Sequence, residues 1–232
     1  MGILTINNGI LKTDTGILSI KITGSTLNNN ILLYLKMDSL SEEVSSNNLV
    51  NNGATLTSNG VINDYYYTDS VDDYMKTSNN LNNISGSLPK SLSCWIKRDG
   101  NTNDSHPINF GSDTHDKAFG IWIYPDNNRI QFYGYGPADT NTGVRMADDT
   151  WYHFVATYDG SELNVYVNGV LKATKTRTLN TAVSKLTIGA RNDNTKKYKG
   201  GIDEVGIWNR ALTVDEISLL YNDGNGLSYN NF

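Results

Sequence analysis

Apolar and polar residues alternate with a period of two through most of this chain. The clearest case is Trp151 to Gly169, WYHFVATYDGSELNVYVNG, where Tyr152, Phe154, Ala156 and Tyr158 alternate with His153, Val155 and Thr157. Asp159-Gly160 and Asn168-Gly169 are tight-turn dipeptides, since Gly takes positive φ at little steric cost. Two such turns in so short a stretch predict antiparallel sheet. Strands are likewise expected at 31–37, within 61–74, and near 91–98, 106–110, 118–124, 129–135, 152–158, 162–168, 185–190 and 201–208. Residues 38–53, rich in Ser and Asn, read as loop. Many short strands at this spacing predict an all-β fold, a two-sheet antiparallel sandwich.

One short helix is expected near the C-terminus. Thr213 and Glu216 have capping-box spacing, Ile217, Leu220 and Tyr221 share one face, and Asn222-Asp223-Gly224 stops the helix. The tail, 225–232, reads as extended and mobile.

The N-terminus has a different pattern. Gly-Ile-Leu recurs at Gly2, Gly9 and Gly16, seven residues apart. Glycine in every copy disfavours a coiled coil, and the Ile and Thr content favours short β segments broken at Asn7-Asn8-Gly9 and Asp14-Thr15-Gly16. A single copy of such a segment buries little apolar surface. Residues 1–27 are therefore read as an assembly or anchoring segment with its linker, and 28–232 as the sandwich domain. A homo-oligomer, such as a trimer, or docking on a larger particle through residues 1–24 is expected.

Composition narrows the picture. The 232 residues hold a net charge of −5, which disfavours a nucleic-acid partner, because phosphates need a basic face. No apolar run is long enough for membrane insertion, and the first residues lack the pattern of a signal peptide. Cys94, the only cysteine, falls on an inward strand position. Asn occurs 31 times and Gln once, which suits a turn-rich chain.

The Trp151 hairpin, the Asp69-Ser70-Val71-Asp72-Asp73-Tyr74 turn, the Leu92-Ser93-Cys94-Trp95-Ile96-Lys97 strand, and the closing Gly200-Gly201-Ile202-Asp203-Glu204-Val205 strand running on to Asn209-Arg210-Ala211-Leu212 together resemble laminin-G-like domains with the concanavalin A-like jelly roll. The resemblance implies a jelly-roll sandwich over about 30–223. It also implies a structural Ca2+ held between the Asp69 turn and Asp203, although Ser70 stands where the family has Gly.

Catalysis finds little support. A retaining glycosidase needs two carboxylates about 5 Å apart, hence on one strand face. Asp203 and Glu204 are adjacent and alternate between faces, and E-x-D-x-E is absent. No Gly-x-Ser-x-Gly elbow is present. Asp113, His115 and Asp116 read as a metal loop or, more blandly, as a solvated polar loop. The chain is read as no enzyme.

Sugar recognition uses aromatic rings beside polar groups. Tyr124, Tyr133 and Tyr135 with Arg145 form one candidate set, near Asp139 and Asn141; Arg191 and Tyr198 form another. Trp122 shares the outward face with Tyr124. The expected function is a lectin-like adhesion module for cell-surface glycans. A phage virion fibre or decoration protein, at the virion surface or otherwise extracellular, reconciles that role with the missing signal. The alternatives are a purely structural virion component, a carbohydrate-binding module of a secreted bacterial protein and, remotely, a glycoside hydrolase.

Overall fold

The computed structural model describes residues 26–100 and 104–232, together with the backbone of 12–13 and 16–17. Strands β1 (Lys12–Thr13) and β2 (Gly16–Ile17) pair antiparallel, with Thr13 opposite Gly16. The expected break at Asp14-Thr15 lies outside the described residues. The earlier Gly-Ile-Leu copies lie outside the described residues.

The body is a sandwich of two antiparallel sheets. In chain order its strands are β3 (Ile31–Leu35), β4 (Leu49–Asn52), β5 (Thr55–Ser58), β6 (Asp64–Asp69), β7 (Tyr74–Thr77), β8 (Lys90–Arg98) and β9 (Ile108–Gly111). There follow β10 (Ala118–Tyr124), β11 (Arg129–Tyr133), β12 (Thr140–Arg145), β13 (Trp151–Tyr158), β14 (Glu162–Val167), β15 (Val170–Thr176), β16 (Thr187–Ile188) and β17 (Lys199–Trp208). One sheet runs β12-β11-β10-β9-β16-β7-β4. The other runs β15-β14-β13-β8-β17-β6-β5, with β3 also on β17. The predicted hairpin forms as β13 and β14, with Tyr158 opposite Leu163.

β17 lies beside β8 along its length. Its first half pairs on the other side with β6 and its second half with β3. A bulge between Asp203 and Gly206 lets one strand serve both partners, with Glu204 at φ 47°. The bulge places two adjacent carboxyls inside the protein, Asp203 fully buried and Glu204 nearly so.

Inward positions meet between the sheets. Leu92, Cys94 and Ile96 of β8 pack with Phe119 and Ile121 of β10 and with Phe132 of β11. Cys94 is buried as expected, and burial pushes its thiol pKa up. Of the three consecutive tyrosines, Tyr66 enters this core, while Tyr65 packs edge-on to Trp151.

A second apolar cluster lies outside the eight-stranded sheet, under helix α1 (Val214–Tyr221). The capping box is present: Thr213 accepts from the Glu216 amide, and Glu216 accepts from the Thr213 amide. Leu27, placed by sequence in the linker, is fully buried here, and its carbonyl accepts from Trp208 Nε1 at 2.7 Å. The tail is not the free extension expected. Tyr229 stacks on Tyr34, and Phe232 meets Tyr34 edge-on, because the sheet's outer aromatic face needs cover.

Other differences sit at edges. Part of 38–53 pairs as β4, and β12 and β15 form at sheet margins, where polar alternation hides the strand signal. The stretch 185–190 keeps only β16, and 129–135 ends at Tyr133 because Tyr135 adopts φ 66°.

Candidate glycan-binding site

The outer face of the seven-stranded sheet positions the candidate site. Register places Trp122 and Tyr124 of β10 opposite Gln131 and Arg129 of β11, and Gly120 opposite Tyr133. All six therefore share one face, while Ile121, Ile123, Ile130 and Phe132 fill the core on the other. Two loops rise over this face, one just before β9 and one between β16 and β17.

Between them lies a cavity of about 290 Å3, whose lining includes Asp104, His106, Trp122, Tyr133, Tyr135 and Arg191. Its rings form a connected set. His106 lies nearly parallel to Trp122 with centroids 6.2 Å apart and meets Tyr133 edge-on at 4.3 Å. Tyr133 and Tyr135 are 6.1 Å apart.

Polar contacts fix these rings. Asp113 accepts from Tyr133 Oη at 2.8 Å and pairs with Arg191 Nε at 3.3 Å. Arg191 also pairs with Asp193, whose pKa the guanidinium lowers. Trp122 Nε1 donates to Asp104, whose other oxygen meets Lys196 Nζ at 2.8 Å. Asp139 holds the far rim: its carboxylate accepts from the amides of Gly134, Tyr135 and Gly136 at 2.8–3.0 Å. Burial raises the Asp139 pKa against the lowering effect of those three amides. Gly136 needs to be glycine, with φ at +80° and an added Cβ falling 2.8 Å from the His115 ring.

His106 is 2% exposed, and its Nδ1 has no hydrogen-bond partner. Desolvation drives its pKa down to about 3, so the ring is neutral at ordinary pH. The wall thus presents aromatic faces, carboxylates and a neutral imidazole, which suits polyhydroxylated ligands.

Sequence and structure agree in part on the site. Tyr133, Tyr135 and Arg191 line the cavity together. Tyr124 shares the outer face and meets Trp122 edge-on at 5.0 Å, outside the cavity lining. Arg145 is exposed at the end of β12, opposite Arg129 and away from the cavity. Tyr198 is fully buried in the main core and offers no ring platform. Its neighbours are charged and polar, so the local pattern reads as surface, but its amide bonds to Gly189 and turns the ring inward. Asp104 and His106 are the additions, while Asp139, read beside the first set, lines the cavity with Tyr133 and Tyr135. Trp122's outward position was legible, whereas His106, just before a proline and a strand, gave no periodic signal.

Asp69 and Asp203 do not converge. Asp69 sits opposite Lys199, and Asp203 lies four residues further along β17, about 13 Å away at strand rise. Asp203 instead accepts from the amides of Val61 and Ile62 at 2.8 and 3.2 Å. Its pKa is raised to about 7 by burial. Among the described residues, Asp69 does gather with Asp72 and Asp73, with one oxygen from each within 4.8 Å of the others. In the Asp113–Asp116 loop, Asp113 serves Tyr133 and Arg191, and Asp116 pairs with Arg177, leaving His115 exposed. That is the polar-loop reading.

Comparisons with known proteins agree with this architecture. The model of a family described as "Laminin_G_3: Concanavalin A-like lectin/glucanases superfamily" matches residues 69–218. The adhesion G-protein coupled receptor D1 of Bos taurus is 28% identical over 139 residues, covering 56% of this chain and 15% of the receptor. This chain therefore corresponds to a small part of that relative. Domain 4 of AbnA, a GH43 extracellular arabinanase from Geobacillus stearothermophilus solved with arabinotriose, superposes with a TM-score of 0.68 at 18% identity. The match covers 82% of this chain and 97% of that domain. The binding domain of Paraclostridial Mosquitocidal Protein 1 gives a TM-score of 0.65 at 18% identity, over 84% of this chain and 52% of that one. At these identities the two structures speak for the fold. No helix among the described residues is long and apolar enough to cross a membrane.

Proposed function

The chain belongs to the concanavalin A-like lectin/glucanases superfamily, and from that premise we propose that it is a non-catalytic glycan-recognition module. The observation that carries this reading is the cavity in which Trp122, Tyr133 and Tyr135 stand beside Asp104, Asp139 and Arg191. Rings pack on sugar C–H faces while the polar groups bond hydroxyls. The arabinotriose held by the AbnA domain makes neutral oligosaccharides sensible first probes.

A binding role accounts for the carboxylates better than catalysis does. Asp139 is held by three backbone amides, and Asp104 by Trp122 and Lys196. Both are fixed acceptors for hydroxyls, without the freedom of a general acid and base pair. We propose that the module works outside the cell, on a virion or a comparable multivalent particle, with residues 1–24 supplying assembly.

A second proposal concerns Ca2+. Calcium takes six to eight oxygens, and the Asp69, Asp72 and Asp73 carboxylates offer three from one turn. This replaces the expected Asp69–Asp203 pairing.

A glycan array probed with the full chain tests the main proposal. Binding is expected for at least one neutral glycan class, lost in Tyr135→Ala with the melting temperature preserved. No signal across a broad array removes the glycan reading in favour of a structural role.

A further inference from the structure

The aromatic cavity has a neighbour. A second cavity, of about 420 Å3, is lined by Ser70, Asp104, Lys196 and Lys197. Asp104 lines both. The first alone lies at the lower margin of the range for small-molecule sites, roughly 300–1,000 Å3, and the two together lie well inside it.

The wall they share carries a second observation. His106, two residues after Asp104, lines the first cavity, is 2% exposed, and its Nδ1 has no hydrogen-bond partner. Buried polar atoms nearly always have partners, so an unpartnered nitrogen in a cavity wall points to a group that arrives from outside. A neutral imidazole nitrogen pairs with a hydroxyl as donor or as acceptor, so a ligand rich in hydroxyls matches it.

We infer that the ligand is a linear oligosaccharide of at least two rings that lies across Asp104 and occupies both cavities. This rests on the glycan reading of the first cavity. One ring packs among Trp122, Tyr133 and Tyr135. The next crosses the Asp104–Lys196 ion pair, where its hydroxyls reach the carboxylate and the ammonium. The lysines of the second cavity donate to ring and glycosidic oxygens, whereas the first cavity mostly accepts.

The test is titration calorimetry of the full chain with linear arabino-, gluco- and galacto-oligosaccharides of one to four rings. In the series that binds, affinity is expected to rise at least ten-fold from one ring to three and then to level. Lys197→Ala should shrink that gain to within two-fold, while Tyr135→Ala should weaken every length by a similar factor and keep the gain. Equal affinity at all lengths overturns the two-cavity inference and leaves the glycan reading standing. So does a length dependence that survives in a folded Lys197→Ala variant. Binding by none of the three series overturns both. Single-ring binding with full affinity likewise overturns the two-cavity inference.

Discussion

Trp122 and Asp104 are joined by a hydrogen bond from the indole Nε1 to a carboxylate oxygen across 18 residues of sequence. The contact ties the middle of β10 to the loop before β9, and it fixes the wall shared by the two cavities. The indole is thereby oriented before any ligand arrives, so little rotamer entropy is lost on binding.

Trp122→Ala should weaken sugar binding by roughly 2- to 10-fold, since ring packing is worth about 0.5–1.5 kcal/mol. Calorimetry would measure the loss. Because Trp122 lies on the outer face, the melting temperature should move far less than for a core residue such as Phe132. An unchanged affinity would place the sugar elsewhere.

Stability should vary little with pH across the weakly acidic range, because buried groups of opposite sense offset each other. Burial raises the pKa of Asp203 to about 7 and of Glu204 to about 9, so each favours folding when protonated. That contribution is fully present below the ordinary carboxylate pKa and is lost as pH rises through the raised values. His106 and His153 are pushed down to about 3, so their contribution is present above the ordinary imidazole value and is lost as pH falls toward 3. The slopes oppose each other between about pH 4.5 and 6.5. Asp203→Asn should tilt the balance: its melting temperature relative to the wild type should climb from pH 4 to 7 and then hold. A constant difference across that range would show that Asp203 titrates normally.

Glu216 joins the chain's two ends. Its carboxylate takes both terminal nitrogens of Arg210 at 2.7 Å, the Thr213 amide at 2.8 Å and the Thr26 hydroxyl. These partners hold its pKa down to about 2 against the opposing effect of burial. Removing one partner from a buried ion pair costs about 3–5 kcal/mol, so Glu216→Ala should lower denaturant stability by about that amount. The contribution should persist at neutral pH and disappear as pH falls from about 4.5 toward 2. A loss under 1 kcal/mol would mean that Arg210 and Thr26 find water at no cost.

The sandwich was legible because period two and turn dipeptides are local signals: β8, β10, β13 and β14 follow directly from them. The helix followed from Thr213 and Glu216. The site was legible only where alternation set a face, as for Trp122 and Tyr133. Tyr198 misled because its burial depends on a hydrogen bond to Gly189, which no local pattern announces. Asp203 misled for a similar reason. The bulge at Glu204 redirects β17, and the 61–62 amides then claim the carboxylate.

Calcium should raise the melting temperature, and chelation should reverse the rise. A ligand that binds only the folded state adds about 2.7 kcal/mol at one hundred times its dissociation constant. Asp72→Asn should abolish the response, while Asp203→Asn should keep it, since Asp203 faces the 61–62 amides. Identical melting curves in calcium and in chelator would end the proposal.

The last prediction separates the N-terminal segment from the body. Thr26 and Leu27 belong structurally to the sandwich: Leu27 fills the cluster under α1, its carbonyl holds Trp208, and the Thr26 carbonyl accepts from Arg210 at 2.7 Å. A chain starting at residue 25 should therefore melt like the full protein, while one starting at residue 30 should be destabilised through the lost Leu27 side chain, by about 2–5 kcal/mol. The seven-spaced glycine repeat lies before both cuts, so the first truncation isolates assembly from folding. Light scattering should give a multiple of the chain mass for the full protein and a single chain for the truncation. Sites of this kind bind with dissociation constants on the order of 0.1–1 mM, or about 4–5 kcal/mol, too weak for adhesion by one copy. Linking copies raises apparent affinity by about 10²–10⁴ without any new contact. On a glycan-coated surface the full chain should be retained where the truncation washes off, although the two bind free oligosaccharide equally. Equal retention, with both proteins monomeric at micromolar concentration, would remove the assembly role of residues 1–24.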